Sequence, residues 1–192
     1  MRKIVSVFIL AVLGMVGCSQ SINLEEHFSL NGTVGSLTAM NQNNEKVDIP
    51  KDYKDKIWLA AFIFTNCDTV CPPMTMNMAT LQKQAKQEHL DVEFVSFTID
   101  PENDKPDVLK NFAKSFGADE TNWNFLTGYD QAVIESFANT SYIAPAAKLD
   151  GSNQFVHSSA IYLMKGTTIL EQYEVSADVP YEKIIEDIKL LQ

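Results

Sequence analysis

The sequence predicts an α/β domain built on a mixed sheet with helices on its faces. Three observations carry that expectation. Residues 57–64 (Ile-Trp-Leu-Ala-Ala-Phe-Ile-Phe) form a continuous apolar run, aromatic and β-branched, of the length of a strand buried on both faces. After it, segments of helical and strand-like periodicity alternate. The chain then closes with a hairpin, residues 160–164 and 168–175 about Lys165-Gly166-Thr167, and a helix over 180–191 that carries Ile184, Ile185, Ile188 and Leu191. A length of 192 residues suits one domain, and 45% apolar with 21% charged residues is the balance of a globular protein. No run of eighteen apolar residues exists, which excludes a conventional membrane-spanning helix. The net charge of −10 argues against nucleic acid, whose phosphates need Lys and Arg, and against electrostatic docking on anionic lipid. Its plain consequence is solubility.

Each element has its own signal. Residues 37–40 and 46–49 flank Asn41-Gln42-Asn43-Asn44 and predict an N-terminal hairpin. The buried strand 57–64 follows. Met74, Met78, Leu81 and Ala85 share one face of a helix over 74–89, which marks Met74 and Met78 as core and leaves Met76 pointing elsewhere. Residues 92–99 read as a strand. Residues 106–116 read as a helix, with Asp104 as its cap and Gly117 as its stop. A short strand spans 123–126, and Asp130 caps a helix running to about residue 139. A polar turn at 149–153 leads to a strand near 154–156. There is no internal repeat, linker or low-complexity tract. The order β, α, β, α, β-hairpin, α is thioredoxin-like: a mixed central sheet flanked by helices, here with an N-terminal β-hairpin extension. In such sheets, sites form where buried strands end and helices begin, and the boundary after Phe64 is such a place.

The N-terminus reads as an address. A basic start, Met1-Arg2-Lys3, precedes an apolar stretch over 4–16 and a small residue, Gly17, which predicts an export signal over 1–17. Met15-Val16-Gly17-Cys18 resembles a bacterial lipobox, with Met15 where Leu is more usual. That resemblance implies that Cys18 is lipidated, with acyl chains such as palmitate, and becomes the first mature residue. Several chains on one Cys give stable anchoring. Residues 18–29 then form a lipidated tether, and 30–192 a folded domain held at the cell membrane on its extracytoplasmic face. Losing Arg2 and Lys3 makes the body two charges more negative still.

Setting Cys18 aside leaves Cys67 and Cys71. One cysteine pair in an exported domain signals a disulfide, a redox pair or a metal. The spacing is four; wound as one helical turn, it puts the two Cβ atoms about 5–6 Å apart. That separation serves a disulfide after small adjustment, or two thiolates on one metal ion. Pro72 and Pro73 are tolerated in a first helical turn, and a helix N-terminus favours thiolate. Two soft sulfurs need a third ligand, and copper or zinc suits sulfur and nitrogen donors where calcium and magnesium do not. A passive disulfide would close a very small loop and restrict the unfolded chain little. His157, in Val156-His157-Ser158-Ser159, occupies the loop that faces the start of this helix in a thioredoxin-like sheet. His27 and His89 read as ordinary surface residues.

Phe64-Thr65-Asn66-Cys67, Cys71-Pro72-Pro73-Met74, Asp100-Pro101-Glu102-Asn103-Asp104 and Val156-His157-Ser158-Ser159 together resemble the SCO/SenC family of copper proteins, over about residues 30–191. The resemblance implies one copper ion per domain, held by Cys67, Cys71 and His157. It implies a metallochaperone role in assembling the copper A centre of cytochrome c oxidase. It also places the acidic loop of Asp100 and Asp104 near the metal mouth, to support the ligands or dock a partner, beside the ordinary turn and cap roles of those residues. The expected partners are the oxidase subunit carrying copper A and, through Cys18, the membrane; no nucleic acid is expected, and the protein is expected to be a monomer.

The competing expectation is a thiol–disulfide oxidoreductase in which Cys67 and Cys71 form the redox pair and its disulfide, reducing the cysteines of the copper acceptor. The wider spacing, and the absence between Gln154 and Met164 of the cis-proline of ordinary thioredoxins, count against a general reductase. His157 discriminates, being dispensable to simple exchange. A peroxidase on this fold needs an activating arginine, and Arg2, which leaves with the signal, is the only arginine. A copper-responsive sensor would look the same in sequence.

Overall fold

The computed structural model describes residues 24–67, 71–175 and 178–192, the side chain of Glu25 excepted. The signal, Cys18 and the first part of the tether lie outside the described residues, as do Asp68, Thr69 and Val70 between the two cysteines. In chain order the elements are α1 (Leu24–His27), β1 (Gly32–Thr33), β2 (Leu37–Asn41), β3 (Lys46–Ile49), β4 (Ile57–Ile63), α2 (Cys71–Gln87), β5 (Glu93–Thr98), α3 (Pro106–Ser115), β6 (Trp123–Thr127), α4 (Gln131–Ser141), β7 (Ala146–Lys148), β8 (Phe155–His157), β9 (Ala160–Lys165), β10 (Thr168–Glu174) and α5 (Tyr181–Leu191).

Eight strands form one sheet in the order β1-β10-β9-β4-β5-β6-β2-β3, and β7 and β8 form a separate two-stranded ribbon. Strands β4, β5 and β6 run parallel, with Ile63 beside Thr98 and Phe97 beside Leu126; β9 and β10 run antiparallel on one side and the β2–β3 hairpin on the other. The sheet is therefore mixed, as the alternation of signals required. Every residue of β4 is buried, which explains its unbroken apolar run: it is covered on both faces and makes no polar alternation.

The helices close the faces. The stripe Cys71, Met74, Thr75, Met78, Leu81, Gln82 and Ala85 of α2 is buried, and so are Ile184, Ile185, Ile188 and Leu191 of α5. Met74 and Met78 are core, and Met76 is half exposed, as their helical spacing predicted. Two glycines are fixed by geometry. Gly117 ends α3 at a φ of +69°, and Gly166 turns the β9–β10 hairpin where an added Cβ would lie 2.4 Å from the Lys54 carbonyl oxygen.

Several expectations need correction. Helix α2 begins at Cys71, three residues before Met74, because Pro72 and Pro73 fit its first turn. Asp104 does not cap α3: Lys105 takes the N-cap position with no side-chain cap, and the Asp104 carboxylate is turned inward. Asp130 does sit at the N-cap of α4, but it caps through its backbone carbonyl, which accepts from Val133 and Ile134, and not through its side chain. His27 is not a bare surface residue. Its Nε2 meets the buried Asp187 carboxylate at 2.9 Å, and the adjacent Phe28 is core, so the folded body takes in residues assigned to the tether.

Candidate metal centre

The site is built at the end of β4. The strand leaves the core through Phe64 and Thr65 and turns, with the Cys67 amide donating to the Phe64 carbonyl at 3.3 Å. Helix α2 then starts at Cys71, whose amide donates to the Cys67 sulfur at 3.4 Å. An unpaired amide of a helix's first turn thus finds a soft acceptor, and the Cys67 sulfur lies over the positive end of the helix. Both thiols are buried, and the two sulfurs are not bonded to each other.

The ribbon supplies the third group. β8 ends at His157, which stands opposite Ala146 of β7. Strand alternation turns Phe155 and His157 to one face of β8 and Val156 to the other, and Phe155 is buried while Val156 is exposed. His157 Nε2 approaches Cys71 Sγ at 3.1 Å, and Nδ1 lies 2.9 Å from the Ser158 carbonyl oxygen. A carbonyl can only accept, so Nδ1 carries the proton and the Nε2 lone pair faces the sulfurs. The Phe64 ring stands perpendicular to the imidazole at 5.6 Å and packs on Phe155 at 5.1 Å, fixing the ring plane.

One donor atom each from Cys67, Cys71 and His157 lies within 4.8 Å of the other two. The electrostatics favour the uncharged forms of Cys71 and His157. Burial pushes the Cys71 thiol well above its ordinary range; a backbone hydrogen bond at Phe64 opposes this and the neighbouring Cys67 adds to it. Burial likewise holds the His157 imidazole below its ordinary value, against the bond to Ser158. Neutral imidazole and soft sulfur are the donors that copper and zinc accept, and deprotonation of the thiols then accompanies metal arrival.

The two aspartates of the acidic loop are buried but lie outside this donor group. Asp100 accepts from Asn103 Nδ2 at both carboxylate oxygens, at 3.0 and 2.9 Å. Asp104 accepts from the Thr65 amide at 3.0 Å, from the Thr65 hydroxyl, and from the Thr98 hydroxyl. Burial raises the Asp104 carboxyl above its ordinary value, and these bonds oppose it. Cys18 lies outside the described residues. Sequence reasoning missed Phe64 and Ser158 as parts of the site. The first reads as strand core, and the second acts through a backbone carbonyl that no side-chain pattern marks. It also missed Gln154, whose side-chain amide donates to the Asn66 carbonyl of the Cys loop at 3.4 Å, and Lys148, which ties the ribbon to Glu102 of the acidic loop at 3.5 Å.

Known proteins resemble this chain in sequence and fold. The SCO1/SenC family model matches residues 27–191. A SCO1/SenC family lipoprotein from Bacillus anthracis has a structure similar at a TM-score of 0.81 and 43% identity, covering 85% of this chain and 97% of that one. BsSco, described with a disulfide switch and as a member of the Sco family of cytochrome c oxidase assembly proteins, is similar at 0.77 and 45%, covering 84% and 94%. Copper-bound ScoI of Bradyrhizobium japonicum is similar at 0.68 and 27%, covering 82% and 98%. The fold, the cysteine pair at the start of α2 and the match over nearly the whole described body lead to one conclusion: this chain belongs to the SCO1/SenC family.

Proposed function

We propose that this protein binds one copper ion between Cys67, Cys71 and His157 and delivers it to the subunit of cytochrome c oxidase that carries the copper A centre. The observation that carries the reading is the convergence of two sulfurs and an imidazole lone pair within 4.8 Å, brought together from the connection after β4, the start of α2 and the end of β8. The copper-bound relative and the oxidase-assembly relative support the choice of metal and of partner. Three protein ligands leave room for an incoming donor, so the cargo can leave by ligand exchange without an empty intermediate.

Cys18 serves as the lipid anchor on this reading, residues 1–17 as its signal, and the domain works as a monomer tethered to the extracytoplasmic face. The lipoprotein relative from Bacillus anthracis supports the anchor. Among the described residues no helix is long and apolar enough to cross a membrane.

The test is a copper titration of the reduced protein. One equivalent should bind with thiolate-to-metal charge-transfer absorption, and Cys67→Ser and Cys71→Ser should each abolish that absorption. Failure to bind one equivalent would overturn the reading. A second reading, a thiol–disulfide oxidoreductase acting on the acceptor's cysteines, draws support from the juxtaposed sulfurs and from the disulfide switch described for BsSco. It requires fast exchange that His157→Ala leaves unchanged.

A further inference from the structure

We propose that Asp104 is a positioning residue for this site: its carboxylate clamps the connection from β4 to Cys67, and through it sets the sulfur pair against His157. The proposal rests on the reading that Cys67, Cys71 and His157 bind copper.

Asp104 does not cap the helix it precedes. It stands just ahead of α3, where a carboxylate normally serves the helix's free amides, yet α3 has no side-chain cap. The side chain is instead fully buried, and among the described residues no lysine pairs with it. Burying a carboxylate without a cation is costly, so the bonds it makes must compensate. Those bonds are specific. The Thr65 amide and hydroxyl donate to it from the end of β4, and the Thr98 hydroxyl donates from the end of β5. One carboxylate therefore ties together the ends of two parallel neighbouring strands.

Thr65 is the centre of the connection that touches every ligand. Phe64, before it, packs edge-on against the His157 ring, and the Cys67 sulfur beyond it accepts from the Cys71 amide. Cys67, after it, donates its amide back to Phe64. Asp104 is itself held, because its amide donates to the Asp100 carbonyl at 2.9 Å. Fixing Thr65 thus fixes the approach of Cys67, the seat of Cys71 and the plane of the imidazole together.

The test uses the full chain, reduced, with Asp104→Asn, Thr65→Val, Thr65→Ser and, as a control for the loss of one acidic charge, Asp107→Asn on the exposed first turn of α3. An asparagine oxygen cannot accept all three donors. Asp104→Asn and Thr65→Val should weaken copper binding about 10- to 100-fold, as loss of a group that orients a ligand does. They should also displace the thiolate-to-copper absorption and speed alkylation of the metal-free thiols several-fold. Thr65→Ser, which keeps the donor, should restore all three readouts, and Asp107→Asn should match the parent. If Asp104→Asn does not fold, Thr65→Val carries the same test. A folded variant with the parent's absorption and alkylation rate overturns the proposal, even if its affinity falls. Alkylation needs no metal, so absence of copper binding in the parent would sink the copper reading while this measurement still reports on the clamp.

Discussion

Ile143 breaks a local rule where nothing in the fold repays it, and replacing it makes a sharp test of the turn that ends α4. It follows α4, at a φ of +51°, and its side chain is 88% exposed. The left-handed turn lets the Ala144 amide return to the Ala138 carbonyl at 3.1 Å, closing the helix end. That position suits glycine; an L-residue there costs about 1–2 kcal/mol, and a β-branched one lies at the upper end. Glycine gives back about 0.5–1 kcal/mol through the greater freedom of the unfolded chain. The exposed side chain contributes little burial to lose. Ile143→Gly should therefore stabilise the domain by about 0.5–1 kcal/mol, or roughly 1–4 °C in Tm for a domain of this size. Urea unfolding of parent and variant at matched conditions measures it, with Ile143→Asn as a second residue tolerant of the same conformation. A loss of stability in both variants would mean that the side chain makes a contact its exposure denies, and the reasoning fails.

Other outcomes follow from the site and the core. At copper held at a hundred times the parent dissociation constant, the parent should gain about 2.7 kcal/mol, while a His157→Ala variant binding 100-fold more weakly gains about 0.4 kcal/mol. Thermal scans with and without copper read the difference, and equal gains would remove His157 from the site. Burial pushes the Asp187 carboxyl up, but hydrogen bonds from Lys183, Tyr173 and His27 outweigh it and hold it below its ordinary value. A carboxyl depressed on folding stabilises above the ordinary carboxylate range and loses that contribution as pH falls through its folded value. Asp187→Asn should thus cost about 1.5–3 kcal/mol near neutrality and little in strong acid; parallel stability curves against pH would contradict it. Met78 is fully buried, so Met78→Ala should cost about 2–5 kcal/mol and leave the copper affinity of the folded fraction unchanged. Copper binding weakened without that loss would instead make Met78 a thioether ligand.

Sequence patterns reached the sheet because its strands are extreme cases. β4 is apolar throughout and entirely buried, and the β9–β10 hairpin is punctuated by a glycine whose place admits no side chain. The short pieces escaped. β1 spans two residues and depends on pairing with β10, and β7 carries too few residues to show a period. The cysteine pair was legible from its spacing, and His157 from its place before β9. The cap reading of Asp104 failed because a carboxylate before a helix has one local meaning, and the supporting role that the resemblance implied has its geometry in the meeting of the β4 and β5 ends, which no local pattern shows. His27 was misread for the same reason: its partner lies 160 residues away.

The misread residues share a physical cause that bears on how the site works. Local rules assign a polar side chain to its nearest backbone, and they fail where a polar group is taken inward by distant partners. Around the cysteines this has happened to Asp104, which holds Thr65, while the His157 ring is turned by the neighbouring Ser158 backbone carbonyl. Both thiols are buried, and burial raises that of Cys71 above its ordinary range. A thiol in that state is a poor nucleophile at neutral pH, since attack requires thiolate. A metal supplies the compensating charge directly as the proton leaves, so burial that handicaps exchange chemistry handicaps metal capture far less. The environment of Cys71 therefore favours the copper reading over the reductase, and it leaves Cys67, seated at the helix start, as the thiol through which any exchange would have to begin.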